Sequence, residues 1–118
     1  MQYLLLINED ERAYAGADGA ALMEDTVAKH MQLAQSLAAK GVDFSGNRLK
    51  GAETATTLVY ENGGEPVVRD GAFAETHEEL GGYYLIDVPS LDEAIEWARQ
   101  IPIPGSGAVE VRPVWSQD

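Results

Sequence analysis

The chain opens on five consecutive large apolar side chains, Tyr3-Leu4-Leu5-Leu6-Ile7. A short run of this kind, without helical spacing, predicts a buried strand over residues 2–8. No basic region precedes it and no small-residue cleavage site follows, so it reads as a strand and not as a secretion signal. Residues 10–19 are polar and rich in Ala and Gly, a loop that admits one helical turn. From residue 20 to residue 40 the apolar positions Met23, Val27, Met31, Ala34 and Ala38 recur three and four apart. That spacing marks one face of an amphipathic helix, which Gly41 ends, with His30 and Leu37 on the flank of the stripe.

Residues 42–44 can form a brief strand, and residues 45–53 read as loop. Two β-rich runs, 54–60 and 66–69, flank Glu61-Asn62-Gly63-Gly64-Glu65. Both Asn62 and Gly63 tolerate positive φ, so the pair predicts a hairpin. Residues 82–88 form a further strand that sends Tyr83 and Tyr84 to opposite faces, and Pro89 breaks it. Ser90 with Glu93 three positions on matches a capping box. The helix that follows, residues 91–100, packs through Ala94, Ile95, Trp97 and Ala98, and Pro102 and Pro104 stop it. Residues 108–114 supply the last strand.

Strand, helix, two or three strands, helix, strand is the order of a split βαβ unit. It predicts a single α+β domain over residues 1–118, ferredoxin-like, with an antiparallel sheet and two helices on one face. Two helices cover only one side of such a sheet. Yet Leu4 and Leu6 oppose Tyr3, Leu5 and Ile7, which makes both faces of the first strand apolar. On the last strand Val109, Val111 and Pro113 oppose Ala108 and Val114, with Glu110 and Arg112 tempering the second face. A homodimer closing sheet against sheet answers that exposure; an edge-to-edge or helix-mediated pair fits it less well.

Composition narrows the function classes. Twenty acidic residues against eight basic ones give a formal charge of −12, which repels nucleic-acid phosphates and anionic lipids and argues against nucleic-acid binding. No apolar stretch is long enough to span a membrane. The absence of cysteine excludes disulfides, thiolate catalysis and cysteine-ligated metals, and makes the cytoplasm the expected compartment.

Candidate chemistry is sparse. A histidine beside an apolar helix face, as His30 is, serves either as a packed residue bonded to backbone or as an acid–base group. Asp70 precedes Gly71 and has the form of a turn residue whose side chain bonds nearby amides. His77 sits in the acidic run Glu75-Thr76-His77-Glu78-Glu79, whose spacing matches no established metal-ligand pattern. Phe73 and Tyr83 or Tyr84 are candidates for a cavity wall, or for core or dimer packing. Arg112 can bind an anionic substrate or pair with Glu110. No nucleophile elbow, phosphate-binding loop or dinucleotide fingerprint is present.

The most specific stretch runs from Asp70-Gly71-Ala72-Phe73 through the acidic loop to Leu80-Gly81-Gly82-Tyr83-Tyr84-Leu85-Ile86. It resembles the signature of the YCII-related family in its DGPF-domain branch, with Ala72 where the branch has proline. The opening strand, Ala55-Thr56-Thr57-Leu58-Val59, Leu91-Asp92-Glu93-Ala94, Trp97-Ala98 and Val109-Glu110-Val111-Arg112-Pro113 extend the resemblance over nearly the whole chain. It implies a dimeric α+β barrel. It also implies a cofactor-independent dyad of His30 and Asp70, in which the carboxylate orients the imidazole for isomerase- or lyase-type proton transfer on a small molecule. The same resemblance implies a second role, as an accessory or sensor module associated with an extracytoplasmic-function sigma factor.

Overall fold

A central strand with strict alternation organises the molecule. In β1 (Gln2–Asp10) the side chains of Tyr3, Leu5 and Ile7 are at most 4% exposed, while Leu4 and Leu6 between them are half-buried on the opposite face. The computed structural model describes residues 1–73 and 76–116. After β1 come α1 (Gly19–Ala39), β2 (Asp43–Arg48), β3 (Thr56–Val59), β4 (Val67–Asp70), β5 (Glu78–Asp87), α2 (Leu91–Ala98) and β6 (Gly107–Pro113). Single 3-10 turns occupy Glu11–Tyr14 and Ala52–Thr54.

Strands β2, β5, β1 and β6 form, in that spatial order, one fully antiparallel sheet. With the two helices this is the ferredoxin-like α+β arrangement, into which the β3–β4 hairpin is inserted as a separate two-stranded sheet. The hairpin turns where its sequence allows: Asn62 and Gly63 have φ of 51° and 71°, and the Gly64 amide donates to the Glu61 carbonyl at 2.9 Å.

The core joins the inward side of the large sheet to both helices. Leu5, Leu37 and Ile86 are the most completely enclosed large side chains, surrounded by Tyr3, Ile7, Leu33, Tyr84, Val88, Ala94 and Ile101. Enclosing each of the three contributes roughly 1.5–3 kcal/mol relative to exposure. Helix α1 ends as expected, with Gly41 at φ 71° and the Val42 amide donating to the Leu37 carbonyl. Helix α2 starts on Ser90, whose hydroxyl accepts from the Glu93 amide at 3.2 Å.

Two sequence expectations change. Residues 45–48, expected as loop, continue β2 as an edge strand in register with β5; only backbone pairing makes this polar stretch a strand. The buried side of α1 is also rotated from the expected one. Gly19, Thr26, Leu33 and Leu37 are buried, whereas Val27, Met31 and Ala38 are exposed and Met23 and Ala34 half-exposed. Thr26 is tolerated inside because its hydroxyl donates to the Leu22 carbonyl at 2.8 Å.

The described chain is thin. Its principal extents are 49 × 45 × 18 Å and its radius of gyration is 16.2 Å, against about 13 Å for a compact domain of this length. The short dimension is that of one helix layer on one sheet. The long ones include the hairpin, which makes no extensive contact with another strand or helix among the described residues. No helix of the described residues is long and apolar enough to cross a membrane.

Candidate functional site

The face of α1 that does not enter the core borders an open cavity of about 500 Å³ between that helix and the β2–β5–β1 side of the sheet. Met23, Val27, Met31 and Ala34, the stripe the sequence marks as a core face, form one wall. The strands supply the other. Register places Ile7, Gly82 and Arg48 side by side on the inward face, and Leu5, Tyr84 and Gly46 in the next row.

His30 projects from α1 into this space. Its Nδ1 lies 2.7 Å from the Tyr84 hydroxyl, with the two rings inclined by only 20°. Burial, helped by the Arg48 charge, lowers the His30 pKa from its ordinary 6.5, so the imidazole is neutral at pH 7. Burial also raises the Tyr84 pKa, which keeps the phenol protonated. Either histidine tautomer satisfies the contact: Tyr84 donates to a bare Nδ1, or Nδ1–H donates to the phenol oxygen. Nε2 has no protein partner among the described residues, so it carries the proton as an acid in the first case and is the bare base in the second.

Gly46 makes room for Tyr84. A Cβ on Gly46 would stand 2.6 Å from the Tyr83 carbonyl and 3.0 Å from the Tyr84 ring. The adjacent Gly81 and Gly82 do not have positive φ. Gly81 is the extra residue of a β-bulge, where the register passes from Ile7↔Gly82 to Asn8↔Leu80. A Cβ there would come 2.5 Å from a Glu9 carboxylate oxygen. Gly82 is the tighter of the two, with the Asn47 carbonyl 3.1 Å from the place of its Cβ, whereas the Glu9 side chain can swing away from one on Gly81. Gly71, in contrast, has φ of 93° and needs glycine for its conformation.

A second polar group lies along the cavity. The Tyr14 hydroxyl donates to Glu9 Oε1 at 3.4 Å, and burial raises the Glu9 pKa against the opposing pull of Tyr14 and Arg48. Glu11, also on the lining, accepts the Ala52 amide at 3.0 Å.

Of the residues singled out from sequence, His30 and Tyr84 meet in the cavity. Asp70, Phe73 and Arg112 do not line it. Asp70 is exposed at the end of β4 in the hairpin sheet and makes neither a hydrogen bond nor an ion pair with His30. Phe73 is 72% exposed, with the Arg69 guanidinium 5.9 Å from its ring centroid. Arg112 sits opposite Leu4 on the uncovered sheet face and pairs with Glu110. His77 is exposed. Among the described residues no three His, Cys, Asp or Glu side chains gather as metal ligands; Glu75 lies outside those residues.

Sequence reasoning missed Glu9, Tyr14 and Arg48. The signal for Glu9 was present, because it is the next inward position after Tyr3, Leu5 and Ile7. Arg48 had no such signal within a stretch as polar as Asp43–Arg48.

Comparison with known proteins adds a family and a relative. The YCII-related domain model matches residues 1–117. An uncharacterized protein of Rhizobium meliloti is 49% identical over 63 residues, which are 52% of this chain and 51% of the relative. The match thus spans about half the length of that relative.

Proposed function

Because this chain belongs to the YCII-related family, we propose that it binds a small molecule in the cavity beside α1 and moves a proton on it with His30. The observation that carries this reading is the His30 Nδ1–Tyr84 hydroxyl contact at 2.7 Å inside a cavity of about 500 Å³, a volume suited to a small organic ligand. A neutral imidazole fixed through Nδ1 presents Nε2 for general acid–base work. Isomerisation, elimination and lyase-type cleavage are the reactions such a group serves without a cofactor. Tyr84 takes the orienting part that the family resemblance gives to Asp70. Asp70 acts with His30 only if the hairpin sheet carries it to the cavity.

The same reading includes a cytoplasmic homodimer. The uncovered face bearing Leu4, Leu6, Tyr83 and Leu85, together with the thinness of the chain, supports sheet-against-sheet closure into an α+β barrel. One observation favours a second, non-catalytic reading. The hairpin exposes Leu58, Tyr60, Val67 and Val68, a surface suited to protein contact. In that reading the chain is an accessory module, and a sigma factor is the partner suggested by resemblance.

A thermal-shift screen of small metabolites against the wild type and His30→Ala tests the first reading. A compound that stabilises or is turned over by the wild type alone supports it. Hits that act equally on both proteins, or a screen without hits, sink it.

A further inference from the structure

Arginines in this acidic chain are nearly all engaged. Arg12 binds Asp10, Arg99 binds Glu96, Arg112 binds Glu110, and Arg69 donates to the Phe73 carbonyl. Arg48, which lines the cavity, is different: among the described residues its guanidinium has neither a carboxylate within ion-pair distance nor a hydrogen bond. The two carboxylates of the lining accept hydrogen bonds from other groups, Glu9 from the Tyr14 hydroxyl and Glu11 from the Ala52 amide, and the Arg48 charge acts on Glu9 only at longer range, drawing its pKa down.

The surroundings keep that guanidinium accessible. Arg48 stands opposite Gly82 in the β2–β5 register, on the same face as Tyr84, so the residue directly across from it carries no side chain. Its charge nonetheless reaches His30, being one cause of the lowered pKa there. Beside Glu9, Glu11 and Asn47, apolar side chains form much of the rim and wall: Val27 is 39% exposed, Met31 61%, Phe44 37% and Leu49 39%, and all four line the cavity. A wall of solvated apolar groups with one cation outside any ion pair or hydrogen bond suits an amphiphilic monoanion.

Building on the reading of the cavity as a small-molecule site, we propose that it takes a small organic acid, with the carboxylate held by Arg48 and the apolar body laid along Val27, Met31 and Phe44. A guanidinium offers the planar fork that a carboxylate fills with two hydrogen bonds. A phosphate dianion is the poorer fit, because one arginine faces it alone while Glu9 and Glu11 line the same cavity. The arrangement directs the acid's body, rather than its carboxylate, toward His30 and Tyr84.

Titration of full-length protein by NMR, with 3-phenylpropanoate, its neutral amide and inorganic phosphate as probes, tests this. The readouts are the His30 ring and Arg48 side-chain signals. Wild type is expected to bind the carboxylate roughly tenfold more tightly than the amide. Arg48→Gln should remove that preference while still binding the amide, and Arg48→Lys should keep part of it. Phosphate should leave the Arg48 signals unmoved. Equal affinity for carboxylate and amide, both perturbing His30, overturns the carboxylate site but leaves the cavity reading standing. Phosphate shifting Arg48 as strongly as the carboxylate overturns the ligand class. If neither organic probe moves the His30 signals, the cavity reading falls, and this proposal with it. An unchanged unfolding midpoint for Arg48→Gln, expected for an exposed side chain on an edge strand, separates lost contact from lost fold.

Discussion

His30 on α1 and Tyr84 on β5 are 54 residues apart in sequence, and they meet at 2.7 Å through Nδ1 and the phenol oxygen. The contact ties the long helix to the sheet at the edge of the core, where Tyr84 is 9% exposed. The structural tie and, in the proposed function, the orienter of the imidazole are the same bond.

Tyr84→Phe keeps the ring and removes the hydroxyl. The loss is expected to cost about 1 kcal/mol, because His30 Nδ1 is left without its partner in a partly buried place. Urea unfolding measures that cost. Nitrogen shifts of the His30 ring should show a changed tautomer balance in a protein that is otherwise folded. An unaltered tautomer balance would remove the orienting role.

The His30 pKa is lowered below 6.5 in the folded chain. The unfolded chain therefore takes up the proton first as pH falls, and stability declines from about pH 6.5 down through the folded value. His30→Gln should flatten this part of the stability–pH curve, measured as wild type minus variant between about pH 7 and pH 5. Glu9 acts in the opposite sense. Its pKa is raised above 4.5, so its stabilising contribution is present below that value and is lost as pH rises through the folded pKa. Glu9→Gln should remove that loss.

Gly46→Ala puts a methyl group 2.6 Å from the Tyr83 carbonyl and 3.0 Å from the Tyr84 ring. A destabilisation of about 1–3 kcal/mol is expected from the overpacking, with displaced His30 and Tyr84 signals. Gly16→Ala is the control, since nothing lies within 4 Å of the place its methyl group would occupy. Equal unfolding midpoints for the two variants would count against the close fit at Gly46.

Leu85→Glu tests the pairing of protomers. Leu85 lies opposite Leu4 and Ser45, on the face away from the helices. A charge there should leave the protomer folded and halve the mass seen by analytical ultracentrifugation. A wild type that sediments as a monomer would refute the sheet-against-sheet dimer directly.

Local pattern carried most elements. The apolar run of β1, the Asn62-Gly63 turn, the Gly41 helix end and the Ser90 cap each depend on a few neighbouring residues, and each stands where its sequence indicates. The polar stretch of β2 did not, because an edge strand with little buried side-chain area is specified by the partner it pairs with. The stripe Met23, Val27, Met31 and Ala34 was legible as apolar. Periodicity gives only the angle of an apolar face, and a wall around open space has the same signature as a wall around core.

Sequence by itself thus determined the antiparallel α+β layout and the family to which the chain belongs, since short-range propensity and a long specific block suffice for both. Tertiary structure decided which side of α1 is enclosed, that His30 meets Tyr84, and that Arg48 lines the cavity without an ion pair among the described residues. These depend on strand register and on the packing of α1 against the sheet, which bring together atoms dozens of residues apart. Coupling at that range is a property of the folded sheet and leaves no local mark along the chain.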